Sequence, residues 1–190
     1  MTKPRIAIVV GSNRRESINR KLAEALGKLV PQFDLTFSRI DDLPMFNLDD
    51  VAASPAAVKR FKSEIDGADG VIFVTPEYNR SIPALLKNAI DWGSMPGGQN
   101  SWADKPVFIT GTSPGAIGSA LAQQHLRHVL GAFLGALVLG GEAYITFKPD
   151  LINAEGEIGD EATRKFLGGL LNRFGALVAR HAKQPERSAA

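Results

Sequence analysis

Three short stretches hold most of the residue types able to do chemistry in this sequence. The first is Gly11-Ser-Asn-Arg-Arg-Glu-Ser-Ile-Asn19. A leading glycine is followed by hydroxyls at Ser12 and Ser17, amides at Asn13 and Asn19, and the Arg14 guanidinium. At the start of a helix, such groups and the backbone N–H make a cradle for a phosphate. No Gly-Lys-Ser/Thr follows, so this is not a Walker A loop, and only one of the three glycines of the dinucleotide fingerprint is present. A cradle without lysine suits a monophosphate held in place rather than a phosphoryl group in transfer. The same residues also read as an ordinary polar loop with a good N-cap at Ser17.

The second stretch is Thr75-Pro-Glu-Tyr-Asn-Arg-Ser-Ile-Pro83. Pro76 and Pro83 stiffen its entry and exit, and a rigid loop can present backbone amides to a flat polar ring. The alternative is a Pro-rich turn with a packed Tyr78. The third stretch, Gly111-Thr-Ser-Pro-Gly115, matches the G-x-S-x-G nucleophile elbow, and His181 lies downstream of Asp150 and Asp160 in the triad order. The residue after the serine is Pro114. It has no N–H to offer an oxyanion, and loss of one such donor costs about 10²–10³ in rate. Ser113 therefore reads better as a ligand-contacting hydroxyl than as a hydrolase nucleophile.

Other candidates have plainer readings. His125 and His128 are three apart on a helix, but with no cysteine and no third ligand nearby they read as solvated or packed rather than metal-binding. His181 suits the C-terminal end of a helix dipole. Asp91 and Trp92 could line a site mouth, although a packed Trp92 is the simpler reading. No catalytic side chain and no metal ligand emerges.

The elements that must position these stretches alternate. Arg5–Val10, Phe33–Ile40, Gly70–Thr75, Lys105–Gly111 and a region from Ala136 to Leu139, extending toward Ala143–Phe147, read as strands. Phe33–Ile40 is the least apolar of them and suits a place near an edge. Helices are expected over Ser17–Val30, where Ile18, Leu22, Leu26 and Leu29 recur at spacings of four, four and three, and over Pro55–Ile65. A third is capped by Ser81 and runs to Trp92, a fourth spans Gly115–Leu130, and a fifth Glu161–Ala182. This order implies right-handed crossovers and a parallel five-stranded sheet with helices on both faces. Ligands then bind beyond the carboxyl ends of the strands, where all three stretches fall.

Composition narrows the function classes. The 190 residues suggest one domain over 1–182, with a polar, frayed tail at 183–190. The absence of cysteine excludes disulfides, thiolate nucleophiles and Cys-held clusters. Lys+Arg 22 against Asp+Glu 20 leaves a net charge of +2 without a basic block, so nucleic acid is not an expected partner. The apolar run Ile6–Val10 is too short for a signal peptide and no span of about 20 apolar residues follows. The expectation is a cytoplasmic protein with no membrane partner.

Together the three stretches resemble the NADPH-dependent FMN reductase family of the flavodoxin-like fold, in the subgroup of bacterial quinone and chromate reductases. Gly11–Asn19 is similar to its G-S-x-R-x-x-S-x-N loop. Thr75-Pro-Glu-Tyr-Asn79, continuing through Ser81-Ile-Pro83 and Leu86-Lys-Asn-Ala-Ile-Asp-Trp92, is similar to its T-P-E-Y-N…S-x-P…L-K-N-A-I-D-W signature. The resemblance implies non-covalent FMN. Ser12, Asn13, Arg14, Ser17, Ile18 and Asn19 would hold its phosphate. Pro76, Glu77, Tyr78, Asn79 and Arg80 would lie along the isoalloxazine edge, and Ser113, Pro114 and Gly115 would close the other side. It also implies NAD(P)H as co-substrate, with hydride carried by the flavin rather than by a protein residue. Quinones, azo dyes, nitroaromatics and chromate are the implied acceptors, taking their turn after the nicotinamide on one flavin face, since 190 residues leave no room for a second nucleotide domain. With no thiol available to relay electrons, the flavin must carry the redox chemistry.

The implied assembly is a homodimer with the flavin at its interface, or a tetramer. The loop Asp41–Asn47, with Met45 and Phe46, would reach the partner's site. Two departures stand out: Arg80 replaces a frequent aromatic, and Leu121 and Gln124 stand near where some relatives join dimers through Arg and Tyr. A flavodoxin-like electron carrier without NAD(P)H activity is the rival reading. Its usual strong acidity is absent here.

Overall fold

The computed structural model describes residues 2–182, so the tail expected at 183–190 lies outside the described residues. The β-branched runs become strands β1 (Arg5–Val10), β2 (Asp34–Ser38), β3 (Gly70–Val74) and β4 (Pro106–Ser113), followed by the short β5 (Leu137–Val138) and β6 (Tyr144–Thr146). All pairings are parallel, in the order β2-β1-β3-β4-β5, with β6 also beside β4. The near-continuous apolar runs of β1 and β3 follow from burial on both faces. The half-exposed β2 is the edge strand, as its weaker hydrophobicity implies.

Because successive side chains point to opposite faces, each strand feeds two cores. Ile6, Ile8, Val10, Ile72, Val74 and Phe108 meet helices α1 (Ile18–Lys28) and α5 (Glu161–His181). Ala7, Val9, Val71, Phe73, Val107 and Ile109 meet α2 (Ala56–Asp66), α3 (Ala84–Gly93) and α4 (Ala120–Arg127). The chain leaves β1 toward β2 and then returns across β1 to β3. A crevice at the carboxyl ends is therefore built between β1 and β3.

The fifth strand position differs from expectation. It is split: β5 pairs with the start of β4 and β6 with its end. Between them the chain leaves the ladder, and arginines take its carbonyls. Arg127 donates to Leu139 O (2.9 Å) and Gly141 O, and Arg173 donates to Gly140 O (2.9 Å). Beyond Arg127 the helix widens into a π-helical turn over His128–Phe133.

Candidate active site

Each of the three stretches emerges at the carboxyl edge of the sheet, from β1, β3 and β4. The first is moored to its neighbour by Gly11 N–H donating to Val74 O (2.9 Å). Asn13, Arg14, Arg15 and Glu16 are exposed, while Ser12 and Ile18 are half-buried. Among the described residues, the N–H groups of Asn13, Arg15, Glu16, Ser17, Ile18 and Asn19 donate to no protein atom. Six free donors at the positive end of an 11-residue helix form an anion-receptive edge. The acid in the loop does not oppose this strongly. Lys21, 3.0 Å from Glu16, holds that carboxyl below the usual range by hydrogen bonding and charge, and so offsets its negative charge.

Two side chains of this loop have protein partners. Ser17 is buried and accepts from Arg20 N–H (3.2 Å), so it does cap α1. Asn19, 1% exposed, makes a two-point bridge to β4: its Nδ2 donates to Thr112 O and its Oδ1 accepts from Thr112 N–H, both at 2.9 Å. Its amide therefore ties the first loop to the third, and what it presents toward an anion is its backbone N–H. The sequence carried a signal for this. Asn19 lies on the helix face of Leu22 and Leu26, and a polar residue on a buried face needs a partner.

The second stretch is a tight reversal rather than a simple Pro-stiffened loop. Tyr78 N–H donates to Ser81 O and Ser81 N–H to Tyr78 O, both 3.0 Å, with Asn79 and Arg80 at φ of 49° and 64°. Positive φ at both central residues is the type I′ geometry. Ser81 therefore belongs to this turn, and its hydroxyl meets His125 Nδ1 at 3.0 Å. The helix begins later, at Ala84 after Pro83. Tyr78 is not packed away but 52% exposed, and Pro76 is buried.

Glu77 behaves differently from its expected place along a ring edge. Its side chain is only 8% exposed and its Oε2 accepts from Leu121 N–H (2.8 Å) and Ala122 N–H (3.3 Å). It is the N-terminal cap of α4, delivered from another loop. The local candidate, Ser119, instead accepts from Gln123 Nε2 at 3.0 Å and makes no cap. Glu77→Ala is expected to cost about 1–2 kcal/mol, the worth of a cap, while Glu77→Gln retains an acceptor and most of the stability. Urea unfolding of the two variants checks this, and equal losses would deny the cap.

The third stretch also departs from expectation. β4 runs through Ser113 because β6 pairs with Gly111, Thr112 and Ser113, and α4 starts at Ala120 rather than Gly115. Residues 114–117 form an exposed turn, closed by Ser113 Oγ donating to Gly118 O. This geometry removes the hydrolase reading. No helix follows Ser113 directly, and its hydroxyl is committed to Gly118. Val178, three residues before His181, packs beside Gly70 at the start of β3, the edge of the sheet opposite Ser113.

The loops thus form one mutually fastened rim: Gly11 to Val74, Asn19 to Thr112, Glu77 to α4. A further clamp was not foreseen. Asn88 Nδ2 and Trp92 Nε1 donate to Pro44 O (2.9 and 2.8 Å), and Asn88 Oδ1 accepts from Phe46 N–H (2.7 Å). Trp92 is buried, and Phe46 stands edge-on to it with ring centroids 5.0 Å apart. Of the two residues expected to reach a partner, Phe46 is therefore packed inward. Met45 is 76% exposed on the clamped loop.

A 2-1-3-4-5 parallel sheet with an anion-receptive loop at the β1/β3 crevice defines a flavodoxin-like nucleotide-binding α/β protein. Residues 4–150 match the NADPH-dependent FMN reductase family, and the chain belongs to it. It is 47% identical to a 2-hydroxy-1,4-benzoquinone reductase of a Burkholderia species, over 92% of this chain and 96% of that protein. It is 45% identical to a quinone reductase of Pseudomonas putida, over 91% of this chain and 94% of the relative. Its structure is similar to FerB, a flavoenzyme NAD(P)H:(acceptor) oxidoreductase of Paracoccus denitrificans, with a TM-score of 0.89 and 43% identity, covering 94% of this chain and 98% of that one.

Proposed function

We propose that this protein holds FMN non-covalently on the rim of the three loops and reduces quinones with NAD(P)H. The overall balance is quinone + NAD(P)H + H⁺ giving hydroquinone + NAD(P)⁺. The observation that carries the reading is the set of six N–H groups, of Asn13 and of Arg15 to Asn19, that have no partner among the described residues and lie at and just before the α1 terminus, with Arg14 exposed beside them. This donor set fits a phosphate monoester, whose charge the helix terminus and guanidinium favour. When bound, FMN supplies a ring that accepts and passes on a hydride.

The protein's own residues do the holding. Ser12, Asn13, Arg14, Ser17 and the N–H groups of Ile18 and Asn19 face the phosphate. Pro76, Tyr78, Asn79, Arg80 and the backbone of Glu77 border the ring on one side, and Ser113, Pro114 and Gly115 on the other. Residues 1–182 act as one domain. Azo, nitro and chromate acceptors enter the same opening. The working unit is a homodimer, alone or paired into a tetramer, in which exposed Met45 on its clamped loop reaches the second copy. The protein works in the cytoplasm; no helix among the described residues is long and apolar enough to cross a membrane.

Purified protein should be yellow and its flavin absorbance should bleach anaerobically on addition of NADPH, then recover with a quinone. A colourless preparation that takes up no FMN would overturn the reading, and flavin that NAD(P)H does not reduce would favour an electron carrier. Arg14→Ala should weaken FMN by about 1.5–3 kcal/mol, roughly 10- to 150-fold in Kd, the worth of a charge-assisted hydrogen bond. Flavin fluorescence titration reads this directly, and unchanged affinity would place Arg14 away from the phosphate.

A further inference from the structure

We propose that Arg80 selects acceptors that carry a negative charge, ionised hydroxyquinones and sulfonated quinones being the class. This rests on the quinone-reductase reading above. Arg80 occupies the second central position of the type I′ turn with φ of 64°. That position favours glycine, and a long side chain there is disfavoured by its own backbone. A residue maintained in such a conformation points toward function rather than folding. The turn is closed by two backbone hydrogen bonds of 3.0 Å, so the guanidinium projects from a fixed origin at the carboxyl edge of β3.

Glu77 aims this cation without cancelling it. Arg80 Nη1 donates to Glu77 Oε1 at 3.3 Å, with the arginine side chain 67% exposed. The other carboxylate oxygen accepts two N–H groups at the positive end of α4, where helix and amides already compensate its charge. Among the described residues, Arg80 Nε and Nη2 have no protein partner and remain free to donate. A guanidinium is weakly hydrated, planar and always charged. It can stack on a flat ring and pair with oxyanions at the ring's edge. An ammonium keeps the charge but not the stacking.

The test uses the FMN-loaded wild type, Arg80→Asn and Arg80→Lys with two quinones, neutral menadione and anionic 1,4-naphthoquinone-2-sulfonate. Asparagine tolerates positive φ, so the turn survives the substitution. The kcat/KM ratio of anionic to neutral quinone should fall about five-fold in Arg80→Asn, chiefly through KM, and stay within about two-fold of wild type in Arg80→Lys, the scale of an exposed charge pair. Comparing ratios between variants cancels the different intrinsic reactivity of the two quinones. Raised salt should bring the wild-type ratio toward that of Arg80→Asn. Without any electron donor, the affinity of the oxidised holoprotein for the sulfonate, read by quenching of flavin fluorescence, should weaken by the same factor. An unchanged ratio and affinity, an equal loss with both quinones, or a loss confined to the KM for NADPH would overturn the proposal. If the wild type failed to reduce menadione, the quinone-reductase reading itself would fall, while the binding titration would still decide whether Arg80 recognises the anion.

Discussion

Gly111→Ala is expected to destabilise the protein by about 3–5 kcal/mol, beyond the usual range for overpacking. A Cβ at this position would lie 2.0 Å from Thr75 O, 2.9 Å from Thr75 C and 2.5 Å from Ser119 Oγ. The serine hydroxyl could turn aside, but a backbone carbonyl cannot. Thr75 is itself held to β4 by its N–H donating to Thr110 O at 3.0 Å. The methyl must therefore force β3 and β4 apart at the edge where the second and third loops meet, and FMN affinity should fall along with stability. For a chain of this length the melting temperature should drop by roughly 10–15 °C. Gly115→Ala is the control. Its Cβ would approach nothing closer than Ser113 Oγ at 3.6 Å, and it should stay within about 0.5 kcal/mol of wild type. Thermal unfolding that placed both variants within a degree or two of the parent would show that the close approach is not tight.

Asn19→Ala should cost about 3–4 kcal/mol, although it removes only a small side chain near the surface loop. Both amide groups of Asn19 serve the main chain of Thr112, which is fully buried. Deleting them strands one N–H and one C=O, each worth about 1–3 kcal/mol when left unpaired. Asn19→Asp should not rescue, because a carboxylate can accept from Thr112 N–H but faces Thr112 O with no proton to offer. Chemical denaturation of the two variants separates this account from a simple loss of volume. Full stability in Asn19→Asp would mean that only the N–H of Thr112 matters. In both variants the α1 terminus is released from β4, so FMN should bind more weakly even with Arg14 intact.

These two residues show what could be read from the chain alone. Gly111 was legible as a glycine at the end of a strand, and Asn19 as a polar residue in an anion-receptive loop. Their partners were not legible. Asn19 meets Thr112 across 93 residues, and Glu77 meets Leu121 across 44. Glu77 reads as ring-facing only through the family resemblance, because it stands inside the Thr75-Pro-Glu-Tyr-Asn79 motif. Its real direction depends on α4 lacking a cap of its own, and Ser119 was diverted to Gln123. The fifth strand read as one region, since nothing local in Leu139–Ala143 announces that Arg127 and Arg173 will take its carbonyls. Phe46 reads as available to a partner because Trp92, the buried ring it packs against, stands far along the chain.

Sequence by itself determined the alternation of strands and helices, the two-faced burial of β1 and β3, the family signatures and the three loops where ligands must bind. Each of these depends on local periodicity or on a contiguous motif, and such signals survive in one dimension. Only the tertiary structure decided which polar groups in those loops remain free. The side chains of Asn19, Glu77 and Ser113 are taken by protein partners, and the Ser17 hydroxyl accepts from Arg20 N–H but keeps its own proton to donate. Among the described residues, the N–H groups of Asn13 and of Arg15 to Asn19 and the outer donors of Arg80 have no protein partner. A hydrogen-bonding group is available to a ligand only when the fold has not already satisfied it. That accounting requires knowing what lies opposite in space.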